Sequence, residues 1–170
     1  HRDLHSFPTR RAAELWKIKN SMMFGYSNKG HDGYLGDAVI GEWCNLGANT
    51  SCSNLKNNVS AVKVWLEASG EAVSAGLKCG VLMGDYSRCG INTMLNTGTV
   101  IGVSCNVFGG HFPPKFLPSF SWGDQQHYRL PEALRDAGNW MGLKGHHLSE
   151  KDKQVLEAVY ELINQKDLKT

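Results

Sequence analysis

A chain of 170 residues with a formal net charge of +2 is long enough for one domain with a sizeable core. The charge is nearly balanced and no long basic run is present, which argues against nucleic acid as a partner. No apolar stretch approaches the roughly 18 residues of a membrane span, and no signal-peptide core is visible. We therefore predict a cytoplasmic protein with no membrane partner.

The cysteines give the same indication. There are five, an odd number, and no two of them form a C-x-x-C pair. We interpret them as reduced packing residues of a cytosolic protein rather than as a redox or metal site.

The first part of the chain, residues 1–16, carries neither a repeat nor a convincing helical face, and we interpret it as a foreign or disordered leader. Residues 17–33 are punctuated by glycine and are interpreted as the last part of an earlier coil of the fold that follows. We assign residues 17–123 to a single repeat domain.

A repeat of six residues begins at Tyr34. The members of its large, inward register are Tyr34, Ile40, Leu46 and Cys52. A smaller residue stands two places ahead of each of the last three: Ala38, Cys44 and Thr50. A helix repeats its apolar face every 3.6 residues and a strand every 2, so a period of six favours a β-helix of hexapeptide repeats.

The same register returns after an insertion, residues 54–76, in which VKVWL and EASGEAV predict a hairpin turning at Ser69-Gly70. The large positions are Leu77, Met83, Cys89, Leu95, Ile101 and Val107. The small positions are Ala75, Val81, Ser87, Thr93, Thr99 and Cys105. Gly or Asn often follows the large residue, where we expect a backbone conformation that other residues adopt only with strain.

The C-terminal part departs from the repeat. The segment HFPPKFLPSFSWG, residues 111–123, predicts an extended strap along the repeat domain. Residues 124–170 predict a helical extension: one helix starts near Pro131, and another is capped by Ser149 with Asp152. The second helix is expected to pack through Val155, Leu156, Val159, Tyr160 and Ile163.

Polar residues that could carry chemistry cluster in residues 28–57: Lys29, His31, Tyr34, Asn45, Asn54 and Lys56. Each also has a structural interpretation. His31 could be a surface residue, Tyr34 a core residue, and Asn45 a turn residue in left-handed geometry. The inserted loop could be a harmless excursion or could reach over a binding site.

The segments KGHDGYLGDAVIGEWCNLGANTSCSNLKN, MGDYSRCGINTMLNTGTVIGV and FLPSFSWG resemble GlmU-like enzymes, which combine a sugar-1-phosphate nucleotidyltransferase with an amino-sugar-phosphate acetyltransferase. The resemblance covers roughly residues 17–165 and is strongest to a Bacteroidetes-type branch of the family. It implies an all-β solenoid, a left-handed parallel β-helix, with an inserted loop and C-terminal α-helices. It also implies a homotrimer with active sites between subunits, acting on an amino-sugar phosphate with acetyl-CoA.

The resemblance also implies a role for particular residues. His31 would be the catalytic base. Lys19, Tyr34, Asn45 and Asn54 would bind the sugar phosphate or the reacting carbonyl, and the backbone of Gly109 would contact the thioester of acetyl-CoA. No metal is implied. A neutral histidine can accept the proton of an attacking ammonium group, and turn amides with an asparagine can stabilise the oxyanion.

Two other interpretations are weighed against acyl transfer. Ile91 stands where the family has a serine and Leu55 where it has a tyrosine, and the inserted loop is longer than in the family. Ile91 and the longer loop favour a non-catalytic trimerisation scaffold of a nucleotidyltransferase, whereas the retained His31 and Tyr34, with Asn45 and Asn54, favour acyl transfer. A zinc site of the γ-carbonic-anhydrase kind would need three histidines on adjoining coils, and only His31 and His111 lie in or beside the repeats.

Overall fold

The computed structural model describes residues 16–123 and 126–167. All but the last residue of the expected leader, 1–16, therefore lies outside the described residues. The strands are β1 (Trp16–Lys19), β2 (Met22–Met23), β3 (Gly33–Gly36), β4 (Val39–Ile40), β5 (Asn45–Leu46), β6 (Ser51–Cys52), β7 (Lys63–Leu66), β8 (Glu71–Ser74), β9 (Leu82–Met83), β10 (Arg88–Cys89), β11 (Met94–Leu95), β12 (Val100–Ile101), β13 (Asn106–Val107), β14 (Phe116–Leu117), β15 (Ser121–Trp122) and β16 (Gln126–His127). The helices are α1 (Leu130–Gly142) and α2 (Glu150–Asp167).

Most of these short strands pair in parallel. The first sheet has the order β2-β4-β9-β12-β14, and the second has the order β5-β10-β13-β15-β16. β6 pairs with β11, and β1 pairs with β3. From β9 to β13 the chain enters the first sheet, the second, the β6–β11 pair, and then the first and second again. None of the sheets built from the described residues closes into a barrel.

This pairing explains the period of six. Leu82 pairs with Val100, and Arg88 pairs with Asn106. In both pairs the partners are separated along the chain by three repeats of six residues, so a strand meets its neighbour after every third repeat. Residues 17–33 also take part, because β1 and β2 pair in parallel with β3 and β4. Asn28 also forms an isolated parallel bridge to Asn45.

The predicted interior is largely confirmed. The buried large residues include Ile40, Leu46, Cys52, Met83, Cys89, Leu95, Ile101 and Val107. The buried small residues include Ala38, Cys44, Thr50, Val81, Ser87, Thr93, Thr99 and Cys105. The apolar members of both sets belong to one continuous core.

Two positions of the large register are wrong. Leu77 is 55% exposed, because residues 75 and 76 still hydrogen-bond to Val62 across the base of the insertion and the repeat resumes only at β9. At the first position Leu35, not Tyr34, is buried. Side chains alternate along β3, so the inward placement of Leu35 turns Tyr34 outward.

The glycines after the large residues are needed for a different reason from the one expected. Gly41, Gly47, Gly84 and Gly102 do not have positive φ; that conformation falls later in the turn, at Trp43, Asn49, Tyr86, Asn92 and Ser104. Instead, neighbouring strands pass so close that a side chain has no space. A Cβ on Gly84 would lie 2.7 Å from the carbonyl carbon of Gly102.

We therefore expect Gly84→Ala to destabilise the fold by about 1–3 kcal/mol, because the clash is with backbone that cannot rotate away. Gly138→Ala is the matched control. A Cβ there meets no heavy atom within 4 Å, and alanine favours the interior of α1 by roughly 0.5–1 kcal/mol. Urea unfolding measures both. Equal midpoints for the two variants would contradict the explanation.

The insertion forms the predicted hairpin. β7 and β8 pair antiparallel, with Leu66 opposite Glu71 and a turn over residues 67–70. Val62 and Val64 are buried against the outer face of the first sheet, where Leu82 and Val100 pack with them. The hairpin is therefore fixed to the sheet by an apolar cluster of its own.

The strap prediction for residues 111–123 is wrong. β14 pairs in parallel with β12, and β15 pairs in parallel with β13, so this segment extends the first and second sheets. Leu117 and Phe120 are buried. The step from Ile101 to Leu117 is sixteen residues instead of eighteen, so the period is broken although the pairing continues.

Both helices are close to the predicted positions. Pro131 lies in the first turn of α1, and Ser149 caps α2 through reciprocal hydrogen bonds with Asp152. Leu156 and Ile163 are buried, whereas Val155 is exposed, contrary to the prediction. The Tyr160 ring meets Phe120 edge-on at 5.0 Å, so α2 packs on a corner of the strand region.

No helix among residues 16–123 and 126–167 has the length and apolar character needed to cross a bilayer.

Candidate functional site

Tyr34 and Asn54 meet at one corner of the fold. Tyr34 lies in β3, and Asn54 follows β6. The Asn54 side-chain Nδ2 donates to the Tyr34 hydroxyl at 3.0 Å and also to the Asp37 carboxylate. The Tyr34 ring lies over Gly36, where a Cβ would collide with it. Two of the predicted substrate-binding residues are therefore in direct contact.

Asp37 also belongs to this site, through its contact with Asn54, and the sequence analysis did not predict it. It follows β3 with a φ of 48°, and its backbone amide donates to the carbonyl oxygen of Lys19 at 3.0 Å. Lys19 is exposed and lies on the strand next to Tyr34. The available signal was the G-D pair directly after the apolar Leu35, which marks the end of a strand. We call Lys19, Tyr34, Asp37 and Asn54 the corner cluster.

His31 lies on a short loop before β3, with its side chain exposed. Lys29 organises this loop from beneath. Its side chain is only 6% exposed, and its Nζ donates to the carbonyl oxygens of His31 at 3.0 Å and Asp32 at 2.8 Å. Burial lowers the pKa of Lys29, and the nearby charge of Asp32 opposes that shift. The loop therefore presents an accessible imidazole from a fixed backbone.

Lys29→Met should release this loop, because two carbonyls lose a charged donor while the side-chain volume is kept. We expect a loss of about 1–3 kcal/mol in unfolding free energy and faster amide exchange at residues 30–33. Hydrogen–deuterium exchange by mass spectrometry measures the second effect. Lys151→Met, on the exposed side of α2, is the control. Unchanged exchange in residues 30–33 would mean that Lys29 does not order the loop.

Asn45 is not part of the corner cluster. It lies in β5 of the second sheet, and its Oδ1 accepts a hydrogen bond from Asn28 Nδ2 at 3.1 Å. A narrow crevice lined by Tyr26, Trp43 and Trp140 faces it. Asn45 is also not the left-handed turn residue that was considered, since Asn49 has that conformation.

Gly109 follows β13 with a φ of +146° and is exposed. It comes three residues after Asn106, just as His31 comes three residues after Asn28. Three strand spacings separate the two within one chain, since Asn28 bridges to β5, β5 pairs with β10, and β10 pairs with β13. At about 4.8 Å per spacing this is roughly 14 Å. Ile91 follows β10, the strand between β5 and β13, and is 71% exposed.

A second feature without a sequence signal is Arg88. It lies in β10 between Asn45 and Asn106, and only 6% of it is exposed. Its guanidinium lies 5.3 Å from the centroid of the Trp140 ring of α1, and burial lowers its pKa. Its Nε and Nη1 have no hydrogen-bond partner among the described residues. Its Nη2 donates to the carbonyl oxygen of Asp136 in α1 at 3.5 Å, so Arg88 anchors α1 to the second sheet through this hydrogen bond and the Trp140 ring.

The five cysteines are free and buried, as predicted for packing residues. Burial raises the pKa of Cys44 to about 11 and that of Cys52 to about 12. Thiols with such pKa values form little thiolate near neutral pH and are poor nucleophiles. The described residues contain no group of three or more His, Cys, Asp or Glu arranged to hold a metal ion.

Comparison with known proteins identifies relatives over part of the chain. No family model matches it. It is 35% identical over 89 residues to "Bifunctional protein GlmU" of Methanocaldococcus jannaschii, which covers 52% of this chain and 21% of that protein. It is 35% identical over 95 residues to "Bifunctional sugar-1-phosphate nucleotidylyltransferase/acetyltransferase" of Sulfurisphaera tokodaii, covering 55% of this chain and 23% of that protein.

A GlmU protein of Methanococcus maripaludis matches at 35% identity over 86 residues, which is 51% of this chain and 20% of that protein. The matched region thus spans about a fifth of the length of these curated relatives, and it lies in their C-terminal part. Over about half its length, this chain is therefore similar to the C-terminal region of GlmU-type bifunctional sugar-1-phosphate nucleotidyltransferase/acetyltransferases.

Proposed function

We propose that this chain is an N-acyltransferase domain that moves the acetyl group of acetyl-CoA to the amine of glucosamine-1-phosphate or a similar amino-sugar phosphate. The observation that carries the proposal is the meeting of Tyr34 and Asn54 at one corner, twenty residues apart in the chain, beside the strand that ends at Lys19. The names of the relatives support a transferase of this class.

The proposed fold is a left-handed parallel β-helix. Parallel pairing of residues three repeats apart, in sheets that the chain enters in turn, supports it. Most parallel crossover connections are right-handed, so left-handed winding is a specific property of this proposal. The free, buried cysteines are compatible with the predicted cytoplasmic location.

In the proposed reaction His31 accepts a proton from the sugar ammonium group, whose nitrogen then attacks the thioester carbonyl. The oxyanion that forms is stabilised by hydrogen-bond donors, which include the backbone near Gly109 and the Asn54 amide after it leaves one of its acceptors within the protein. Collapse of this intermediate breaks the carbon–sulfur bond. The nitrogen loses a second proton as the amide forms. The products are the acetamido sugar phosphate and the thiol of coenzyme A; one of the two protons goes to the leaving thiolate and the other to solvent.

Substrate binding must change the corner cluster. The Asn54 amide donates both of its hydrogens within the protein, to Tyr34 and Asp37. To contact a substrate carbonyl it must leave one of these acceptors. Lys19 is exposed and can hold a sugar phosphate as a point charge without such a change.

Thiol release from acetyl-CoA in the presence of glucosamine-1-phosphate tests the proposed function. We expect release that requires both substrates, with the acetylated amine identified by mass spectrometry. Hydrolysis of acetyl-CoA at the same rate without the sugar phosphate would not count as transfer. A lack of release with every amino-sugar phosphate tried would contradict the proposal.

The second candidate function is a non-catalytic trimerisation scaffold of a sugar-1-phosphate nucleotidyltransferase. Ile91 favours it, because an exposed isoleucine stands where the family has a serine near the thioester. Absence of thiol release together with a stable oligomer is the outcome that selects this function over acyl transfer.

Both functions include a homotrimer with sites between subunits. Met22, Phe24 and Val39 are exposed on and beside the first sheet, an apolar surface that a neighbouring subunit would cover. Sedimentation equilibrium should give about three times the 18.8 kDa mass of one chain. Met22→Lys should shift this distribution toward monomer, because it buries a charge in the interface. Val155→Lys, on exposed α2, is the control, and a purely monomeric parent chain would contradict the proposed assembly.

A further inference from the structure

The hairpin and the first sheet enclose a groove that the proposed reaction does not use. The groove has a volume of about 380 Å³, and we call it the hairpin groove. Its lining residues include Lys56, Lys63, Trp65, Gly98, Lys115 and Phe116. It arises because the hairpin packs on the sheet over Val62 and Val64, leaving space beyond the edge of that contact.

The hairpin is held tightly at the bottom of the groove. A Cβ on Gly98 would lie 2.6 Å from the carbonyl oxygen of Lys63 and 2.7 Å from the Val62 side chain. The turn at Gly98 therefore contacts β7 directly. Because Lys63 and Trp65 are two residues apart on that strand, they project from the same face, opposite to the buried Val64.

Two aromatic rings form one wall. Phe116 extends the outward row of the first sheet beyond Val100, its partner in β12. The Trp65 and Phe116 ring centroids are 6.2 Å apart with the planes tilted by 45°. Trp65 is still 37% exposed, so part of this residue remains open to a ligand.

Three lysines, Lys56, Lys63 and Lys115, line the same groove. The Lys56 ammonium group donates to the carbonyl oxygen of Ala61 at 2.6 Å. Partial burial lowers the pKa of Lys115, and the positive charge of Lys56 lowers it further, which indicates that the two lysines repel one another. The described lining contains no carboxylate. On β8, Ala72 lies opposite Trp65, whereas Glu71 is offset by one residue onto the other face of the hairpin.

We propose that the hairpin groove binds a nucleoside phosphate, with the base against Trp65 and Phe116 and the phosphates among the three lysines. Base stacking on aromatic rings contributes roughly 1–3 kcal/mol per base, and lysines bind phosphate as point charges. The volume falls within the range of small-molecule sites and suits a mononucleotide. This binding does not depend on acyl transfer.

Calorimetric titration of the 170-residue chain with ADP tests the proposal, with adenosine and pyrophosphate as half-ligands. We expect ADP to bind more tightly than either half, since each half makes only one kind of contact. Coenzyme A, which contains an adenosine diphosphate unit, forms a separate arm. Coenzyme A binding tighter than ADP, with the same dependence on groove residues, assigns the groove to a larger nucleotide-bearing molecule. Equal binding assigns it to a free nucleotide.

Lys115→Met and Trp65→Leu should each weaken ADP binding by about fivefold or more, the lower end of a stacking or charge contribution. Lys153→Met, on α2 away from the groove, should leave it unchanged. Lys115 lies on the sheet side, so its variant tests the groove even if Trp65→Leu loosens the hairpin. Pyrophosphate binding as tightly as ADP, absence of ADP binding at millimolar concentration, or equal effects of the Lys115 and Lys153 variants would overturn the proposal.

Discussion

His31→Ala should lower the turnover number for acetyl transfer by roughly 10²–10⁴-fold, the usual contribution of one positioned proton acceptor. The Michaelis constant for the sugar phosphate should change far less, because the corner cluster, including Lys19, remains to hold the substrate. The parent activity should fall in acid, since a protonated imidazole cannot accept a proton. The variant should lose this acid limb. Initial rates from thiol release across a pH series measure both effects.

The control for this experiment is His147→Ala. His147 is also exposed, but it lies between the two helices, far along the chain from the corner cluster. Its variant should keep the parent rate and the parent pH profile. The His31 variant should also keep the parent oligomer mass and melting temperature, because its imidazole is exposed. Near-normal turnover of His31→Ala, on a parent of proven activity, would rule out its role as the base.

Ile101→Ala should destabilise the chain by about 2–5 kcal/mol, the range for removing a large aliphatic side chain from a packed core. Ile101 is 2% exposed and lies in the continuous core between the sheets. The loss combines the transfer free energy of the missing methyl groups with the cavity that rigid neighbouring strands cannot close. Urea unfolding monitored by circular dichroism gives the free-energy difference.

Ile91→Ala is the matched control, since it is the same substitution ten residues away in the same run of repeats. Ile91 is 71% exposed, and a surface change of this kind shifts stability by about 0.5 kcal/mol or less. A similar loss for both variants would show that the six-residue register does not separate interior from surface. A large loss for Ile101 alone would support the interior assignment.

The amino-acid sequence was sufficient to locate the core of the repeat region, the hairpin and both helices. These features depend on short-range regularities: a large residue every sixth position, two β-prone segments around Ser69-Gly70, and a cap formed by Ser149 with Asp152. Each regularity acts through neighbours in the chain or through the next repeat. A periodic pattern therefore predicts them without knowledge of distant contacts.

Other features came from contacts that no local pattern contains. Leu77 satisfies the period but is exposed, because the base of the hairpin holds the preceding residues away from the core. Residues 111–123 break the period, yet they extend two sheets because open strand edges there accept them. Strand edges offer backbone hydrogen bonds to any segment that reaches them, whatever its side chains.

The candidate site shows the same division. The motif around His31 and Tyr34 was visible as a set of residue types, but its geometry was not. Asp37 enters the corner cluster because a turn after β3 directs it toward Asn54, seventeen residues later. Asn45 belongs to a different sheet although it is nearer to Tyr34 in the chain. A side chain's neighbours across the fold depend on how the strands stack, and that stacking is set by the packing of the whole chain.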